Sequence, residues 1–175
     1  MTILLTGGSA NGKSTFAEKL AVRFPEPRVY IATMRPYGEG ALAKIERHRL
    51  MRADKGFASV ECYTGVGSVP LEAGSNVLLE CMCNLTANEM FDDVGNIDEG
   101  AAERVLADVL KLSERCANLI VVTNDVGSDV LGQYSDSTLR YIDTLGELNI
   151  ELAERFDVVY ELVAGIPILL KGTAL

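Results

Sequence analysis

Short apolar runs alternate along this chain with longer segments of mixed polarity. Runs with the length and the β-rich composition of single strands cover residues 2–6, 28–33, 76–81, 118–124 and 157–165. Between them, apolar residues recur every three to four positions, and this spacing predicts helices over 13–24, 39–53, 98–116 and 136–156. Because buried strands separated by helices are joined by right-handed crossovers, we expect an open, mostly parallel sheet.

The last apolar run continues through "GIP" into "ILLKG". Two strand-like stretches joined so closely predict a closing hairpin on one edge of the sheet. Ligands on open parallel sheets bind beyond the carboxyl ends of the strands, so the chemistry of this protein should lie at that end.

The segment "GGSANGKST" stands directly after the first predicted strand and directly before the first predicted helix, and it satisfies the phosphate-loop pattern G-x-x-x-x-G-K-[ST]. Its glycines let backbone N–H groups curl around phosphate oxygens at the positive end of the helix. Lys13 would reach the β- and γ-phosphates, and the Ser14 hydroxyl would bind Mg²⁺. The predicted nucleotide contacts are Gly7, Gly8, Ser9, Asn11, Gly12, Lys13, Ser14 and Thr15.

This motif refines the expected fold. We predict an α/β, P-loop NTPase-like three-layer fold with a mostly parallel sheet and a C-terminal edge hairpin, formed by residues 1–175 as one domain.

A phosphate loop usually works with an acid at the end of a nearby strand, which holds or orients the magnesium ion. Glu80 in "VLLEC" and Asp125 in "VVTND" both stand at predicted strand ends, and the sequence leaves the choice between them open. The guanine signature of switch GTPases is absent, because Asp125 stands where that signature has lysine.

The only histidine, His48, lies in the basic segment "AKIERHRLMRAD". Helical spacing puts Lys44, His48 and Arg52 on one face, with Arg47 and Arg49 beside it. Neighbouring cations disfavour a protonated imidazole and leave a nitrogen lone pair that can attack phosphorus, while the same cations would hold a polyphosphate. The alternative is a solvated basic helix face with an incidental histidine.

Charge and composition exclude several classes of protein. The formal net charge of −9 argues against a general nucleic-acid binder, which needs a basic surface. Cys62, Cys81, Cys83 and Cys116 form neither a CxxC pair nor a zinc pattern, so we interpret them as buried or incidental thiols. The sequence has no secretion signal and no apolar run of about 18 residues, so we expect a cytoplasmic protein without a membrane span.

Over nearly the whole chain, the sequence resembles the bifunctional adenosylcobinamide kinase/adenosylcobinamide-phosphate guanylyltransferase family of cobalamin assembly. The segments that carry the resemblance, in the family's order, are "TGGSANGKS", "YIAT", "KIERHRLMR", "VEC", "VLLEC", "VVTNDVG", "YIDTLGELNIELA" and "LVAGIPILLKG". The resemblance implies phosphorylation of the aminopropanol hydroxyl of adenosylcobinamide by ATP or GTP, and then transfer of GMP from a guanylylated histidine onto that phosphate.

The same resemblance implies roles for individual residues and for the assembly. His48 matches the guanylylated histidine, and Lys13 the catalytic lysine of the loop. Glu61 and Glu80 match acids of the family and are implied as further nucleotide-binding residues, with Glu80 also at the metal. The basic helix face adds Arg49 and Arg52 to the predicted nucleotide-binding residues, and the loop motif adds Ser14 to the metal site. Nucleotide and corrinoid substrates, Mg²⁺ and a propeller-like homotrimer with active sites near the subunit contacts are implied as well.

The chain departs from the family pattern at several places. Ala10 and Asn11 occupy the usual Arg-Ser places of the loop, while Lys44, Phe57 and Ile142 replace an arginine, a tryptophan and another arginine. Residues that still match are Asp143, Gly146 and Asn149, for which helix packing is the alternative role. A single-activity P-loop kinase and a non-catalytic nucleotide-binding protein are the alternative functions.

Overall fold

The computed structural model describes residues 1–127 and 134–175, except for the side chains at positions 38, 39, 41, 44 and 51. The strands are β1 (Thr2–Thr6), β2 (Arg28–Ala32), β3 (Phe57–Glu61), β4 (Asn76–Glu80), β5 (Asn118–Val122), β6 (Val158–Val163) and β7 (Ile166–Lys171). The helices are α1 (Lys13–Ala21), α2 (Gly38–Arg52), α3 (Met82–Met90), α4 (Ala101–Arg115) and α5 (Asp136–Arg155), with a short 3₁₀ turn at Val66–Ser68.

Within these described ranges the strands form one sheet in the order β3-β2-β4-β5-β1-β6-β7. The pairs from β3 to β6 are parallel, and β7 alone runs antiparallel, beside β6. The prediction of a mostly parallel sheet closed by a C-terminal edge hairpin is therefore confirmed.

Apolar side chains on the two faces of the sheet form two separate cores. On one face, residues such as Leu79 and Val121 pack against α3, α4 and α5. On the other face, their chain neighbours Leu78 and Ile120 pack against α1. Because successive strand residues point to opposite faces, an uninterrupted apolar run fills both cores, and three layers result.

The predicted strands and helices all appear, with ends that differ by a few residues. The fourth helix begins at Ala101 rather than at residue 98, because the Asp98 carboxylate accepts from the N–H of Gly100 in the turn before it. Two elements were not predicted. These are the edge strand β3, whose residues are mostly exposed and so lack an apolar run, and α3, which starts directly after β4 and is only 9 residues long.

No helix in the described part of the chain has both the length and the apolar character needed to cross a membrane.

The hairpin between β6 and β7 turns at Ala164 and Gly165, both of which have positive φ (50° and 83°). Two consecutive positive φ angles match the right-handed twist of the strands that the turn joins. This turn lies against the phosphate loop, because a Cβ atom on Gly12 would be 3.4 Å from the Cα of Gly165.

The start of the phosphate loop packs even more closely on β6. Gly7 has φ of 134°, and a Cβ atom there would lie 2.5 Å from the carbonyl oxygen of Leu162. The same carbonyl accepts a hydrogen bond from the Asn11 side chain at 3.3 Å. Gly7 is thus required by chain packing as well as by phosphate access.

We expect Gly7→Ala to destabilise the fold by about 3 kcal/mol, because the methyl group adds a backbone clash to a conformation that favours glycine. Chemical denaturation followed by circular dichroism measures the effect. Gly146→Ala is the matched control, since Gly146 is helical with nothing within 4 Å of the added atom. The Gly146→Ala protein should have the free energy of unfolding of the wild type, or one up to about 1 kcal/mol higher. Equal stability of both variants would show that the loop does not pack on β6 in this way.

Candidate active site

Lys13 is held at the centre of the phosphate loop. Its Nζ donates to the carbonyl oxygens of Gly7 at 2.8 Å and Gly8 at 2.6 Å, and the residue is buried. Burial lowers the pKa of Lys13 from its usual value. Its position at the first turn of α1 places the ammonium group beside the positive end of that helix, so both favour an anion at the same point.

Ser14 and Glu80 bring the loop and the carboxyl end of β4 together. The Ser14 hydroxyl donates to Glu80 Oε1, and the hydroxyl of Tyr30, on the neighbouring strand β2, donates to Glu80 Oε2 at 3.1 Å. Each carboxylate oxygen thus has its own donor. Of the two acids that the sequence left open, Glu80 is the one that contacts Ser14.

Asp125 has a different setting. Its backbone N–H donates to the carbonyl of Gly7 at 3.1 Å, and its carboxylate accepts from the N–H of Gly127 at 3.2 Å. These contacts hold the segment after β5 against the start of the phosphate loop.

The paired oxygens of Ser14 and Glu80 fit a magnesium ion. Hydroxyl and carboxylate oxygens are hard donors, and Mg²⁺ in phosphoryl-transfer sites takes one or two protein ligands together with phosphate and water oxygens. Among the described residues, no group of three or more His, Cys, Asp or Glu side chains forms a metal site. The donor set therefore suits a metal that arrives with nucleotide phosphates and not a fully protein-bound ion.

His48 lies at the same carboxylate. Its Nδ1 is 3.7 Å from Glu80 Oε1, and its side chain is 16% exposed. Helix α2 carries it there, although most other described side chains of that helix, including Arg47 and Arg49, are exposed. The sequence predicted cations around His48, and the proximity of this acid was not predicted. Lys44 was predicted on the same face, and its side chain lies outside the described part of the structure.

Arg52 lies one helical turn after His48 and is also turned inward, with 6% of its surface exposed. Its guanidinium carbon is 3.4 Å from the centre of the Tyr30 ring. Its Nε and Nη1 are buried and have no hydrogen-bond partner within the described part of the chain. A buried cation with unused donors is suited to an anionic ligand.

The other two predicted nucleotide-binding residues pair with each other: Arg49, predicted from the basic helix face, and Glu61, implied by the resemblance. Glu61 Oε2 also accepts from the Tyr63 hydroxyl at 2.8 Å. The Tyr63 hydrogen bond, followed by that from Arg49, lowers the pKa of Glu61. About half of each side chain of the Arg49–Glu61 pair is exposed, so the pair stands at the rim of the site.

Two residues of α5 that match the family pattern, Asn149 and Asp143, have different surroundings. Asn149 accepts from the Thr123 hydroxyl at 2.7 Å and donates to the Asn124 carbonyl at 3.2 Å, which fastens α5 to the end of β5. Asp143 lines a cavity of about 140 Å³ with Asp98, Arg140 and neighbouring residues, on the face of the sheet opposite α1.

Two features of the site were not anticipated from the sequence. Tyr30 was noted only within a predicted strand and within the segment "YIAT" that carries the family resemblance, and nothing local to it signals a contact with Glu80. Cys83 was interpreted as a buried or incidental thiol; it is buried, and a hydrogen bond from Cys81 and further ones from Asn124 and Tyr141 lower its pKa to about 6. The charge of Cys83 raises the pKa of Lys13, against the larger effect of burial, which lowers it.

Comparison with known sequences identifies relatives over the full chain. The family described as "Cobinamide kinase / cobinamide phosphate guanyltransferase" matches residues 3–170. The bifunctional adenosylcobalamin biosynthesis protein CobU of Salmonella typhimurium is 30% identical over 98% of this chain and 100% of its own length. The bifunctional adenosylcobalamin biosynthesis protein CobP of Pseudomonas aeruginosa is 33% identical over 100% of both chains.

Two solved structures with a similar fold are ATPases. The ATPase domain of the protein G40P superposes with a TM-score of 0.54 at 11% identity, over 98% of this chain and 76% of that one. An ATPase of a bacterial type III secretion system gives 0.57 at 11% identity, over 93% of this chain and 51% of that one. These likenesses confirm the predicted P-loop fold class.

The match over residues 3–170 and the identity to relatives over their whole length show that the chain belongs to the cobinamide kinase / cobinamide phosphate guanyltransferase family.

Proposed function

We propose that this enzyme phosphorylates the aminopropanol hydroxyl of adenosylcobinamide with ATP or GTP, and then transfers GMP from GTP through His48 to give adenosylcobinamide-GDP. The observation that carries the proposal is the position of Glu80. Its carboxylate contacts Ser14 of the phosphate loop and lies 3.7 Å from Nδ1 of His48, so one acid serves both centres.

In the first step, the substrate hydroxyl oxygen forms a bond to the γ-phosphorus, and the bond from that phosphorus to the β-phosphate oxygen breaks. The nucleoside diphosphate leaves, and the hydroxyl proton passes to a base or to solvent. Lys13 and the backbone N–H groups of the loop stabilise the charge on the transferring group. Magnesium held at Ser14 and Glu80 would supply charge neutralisation at the β- and γ-oxygens.

In the second step, a nitrogen of His48 forms a bond to the α-phosphorus of GTP, and pyrophosphate leaves. An oxygen of the substrate phosphate then attacks the same phosphorus, which breaks the nitrogen–phosphorus bond and forms the diphosphate link of the product. Nδ1 faces Glu80, so Nε2 is the nitrogen available for attack. The carboxylate stabilises the imidazolium that forms when this nitrogen is substituted.

Arg52 also supports the proposal that a nucleotide binds at His48. Its unused Nε and Nη1 donors, buried one turn from His48, suit the phosphate oxygens of a nucleotide whose α-phosphorus is at the imidazole. Arg49 and Glu61 at the rim would be available to the ribose or base only by exchanging partners.

His48→Ala should abolish the covalent GMP adduct and the formation of adenosylcobinamide-GDP, while phosphorylation of adenosylcobinamide stays measurable, because phosphoryl transfer needs no protein nucleophile. Lys13→Ala is the matched variant, and it should lower the phosphorylation rate on the order of 100-fold. Intact mass after incubation with Mg-GTP detects the adduct, and peptide mapping should place it on residues 44–52.

Adduct formation by the His48→Ala protein, or its absence from the wild-type protein, would contradict the guanylyltransferase proposal and leave a single-activity kinase. Full phosphorylation by the Lys13→Ala protein would contradict the assignment of the phosphate loop.

We also propose that the enzyme is a homotrimer, as the family resemblance implies. The edge strand β7 offers contact surface, because Ile166, Ile168 and Leu170 are 65%, 42% and 57% exposed. Light scattering at micromolar concentration should give about three times the chain mass of 18.9 kDa. A fully active monomer would contradict this proposal.

A further inference from the structure

Tyr30 is a buried residue of β2 that takes no part in the steps proposed above. The residue is 3% exposed, and its hydroxyl donates to Glu80 Oε2 at 3.1 Å. Because this oxygen is occupied, Glu80 presents the other one, Oε1, to Ser14 and His48.

The ring of Tyr30 has a second contact, on the helix that carries His48. The Arg52 guanidinium carbon lies 3.4 Å from the ring centre, and the Phe57 ring packs on Tyr30 in a T-shaped arrangement with the ring centroids 6.2 Å apart. Stacking on an aromatic face leaves the in-plane N–H groups of an arginine free to bind other partners. Nε and Nη1 are without a hydrogen-bond partner among the residues described, as such stacking permits.

Tyr30 thus joins two elements that approach the site from different parts of the chain. Its hydroxyl holds the end of β4, and its ring holds the last turn of α2. The segment after α2 has a separate attachment on the same side, where Lys55 pairs with the fully buried Glu18 of α1. The position of α2 therefore depends on a few specific contacts, and in the one between Arg52 and Tyr30, one turn from His48, both side chains are buried.

We propose that Tyr30 is a positioning residue that links both half-reactions, since its hydroxyl orients Glu80 and its ring places Arg52 to bind a nucleotide phosphate. This inference rests on the proposed function for its catalytic consequences. Its effect on magnesium and nucleotide binding does not depend on turnover, because binding needs only the phosphate loop, Glu80 and Arg52.

The first variant is Tyr30→Phe, which removes the hydroxyl and keeps the ring. Tyr160→Phe is the matched control. Tyr160 is buried in the same core on β6, and its hydroxyl accepts from the backbone N–H of Leu175 at 2.9 Å. Both variants lose one buried hydroxyl hydrogen bond, so both should show similar small losses in Tm.

Magnesium-dependent binding of a fluorescent GTP analogue separates the two variants. Tyr30→Phe should raise the Mg²⁺ concentration for half-maximal binding about 10-fold, because residues that orient a metal ligand commonly have effects of this size. It should lower kcat for both half-reactions by a similar factor without changing the KM for the corrinoid. Tyr160→Phe should match the wild type in each measurement.

A second variant, Tyr30→Leu, removes the ring as well and should raise the Kd of the nucleotide above that of the Tyr30→Phe protein. Identical nucleotide Kd values in these two variants would overturn the role of the ring.

An unchanged magnesium midpoint in Tyr30→Phe would overturn the role of the hydroxyl, whatever the stability of the variant. If instead the midpoint shifts as expected but the wild-type protein catalyses neither half-reaction, the positioning role stands and the proposed function fails.

Discussion

The contact between Ser14 and the Glu80 carboxylate is the interaction on which the rest of the site depends. It joins the phosphate loop after β1 to the end of β4, two strands that are separated in the sheet by β5. The Tyr30 hydroxyl holds the second oxygen of this carboxylate, and His48 Nδ1 lies 3.7 Å from the first. An acid with a donor on each oxygen keeps its orientation, which a metal ligand and a histidine partner both require.

The phosphate loop in turn depends on the C-terminal hairpin. Gly7 approaches Leu162 so closely that no side chain fits, and Gly12 lies against the turn at Gly165. The edge hairpin is thus part of the support of the nucleotide site, although it contributes no predicted site residue. Rigid strands below and a packed hairpin beside the loop keep Lys13 and Ser14 in place before a nucleotide binds, which reduces the entropy that binding costs.

Local patterns predicted much of this structure. The loop, the buried strands, the hairpin and the main helices depend on spacing, glycine positions and apolar runs, all of which are visible within a few residues. The missed elements lack such a signal, because β3 is an exposed edge strand and α3 is short. The contact of Tyr30 with Glu80 joins residues 50 positions apart, and that of Ser14 with Glu80 joins residues 66 apart. Such contacts follow from strand order, which the sequence leaves open. The pairing of Arg49 with Glu61 was missed because Glu61 lies on β3, the strand that was not predicted.

The most direct test of a shared carboxylate is the rate of each half-reaction in a Glu80→Gln protein. Glutamine keeps the shape, its carbonyl oxygen can accept from one of the two hydroxyls and its NH2 group can donate to the oxygen of the other, so the fold should survive, but the charge that serves magnesium and His48 is removed. Phosphorylation of adenosylcobinamide and formation of the GMP adduct, measured separately, should both fall on the order of 100-fold. A folded Glu80→Gln protein that kept either rate at the wild-type value would show that the two centres do not share this acid.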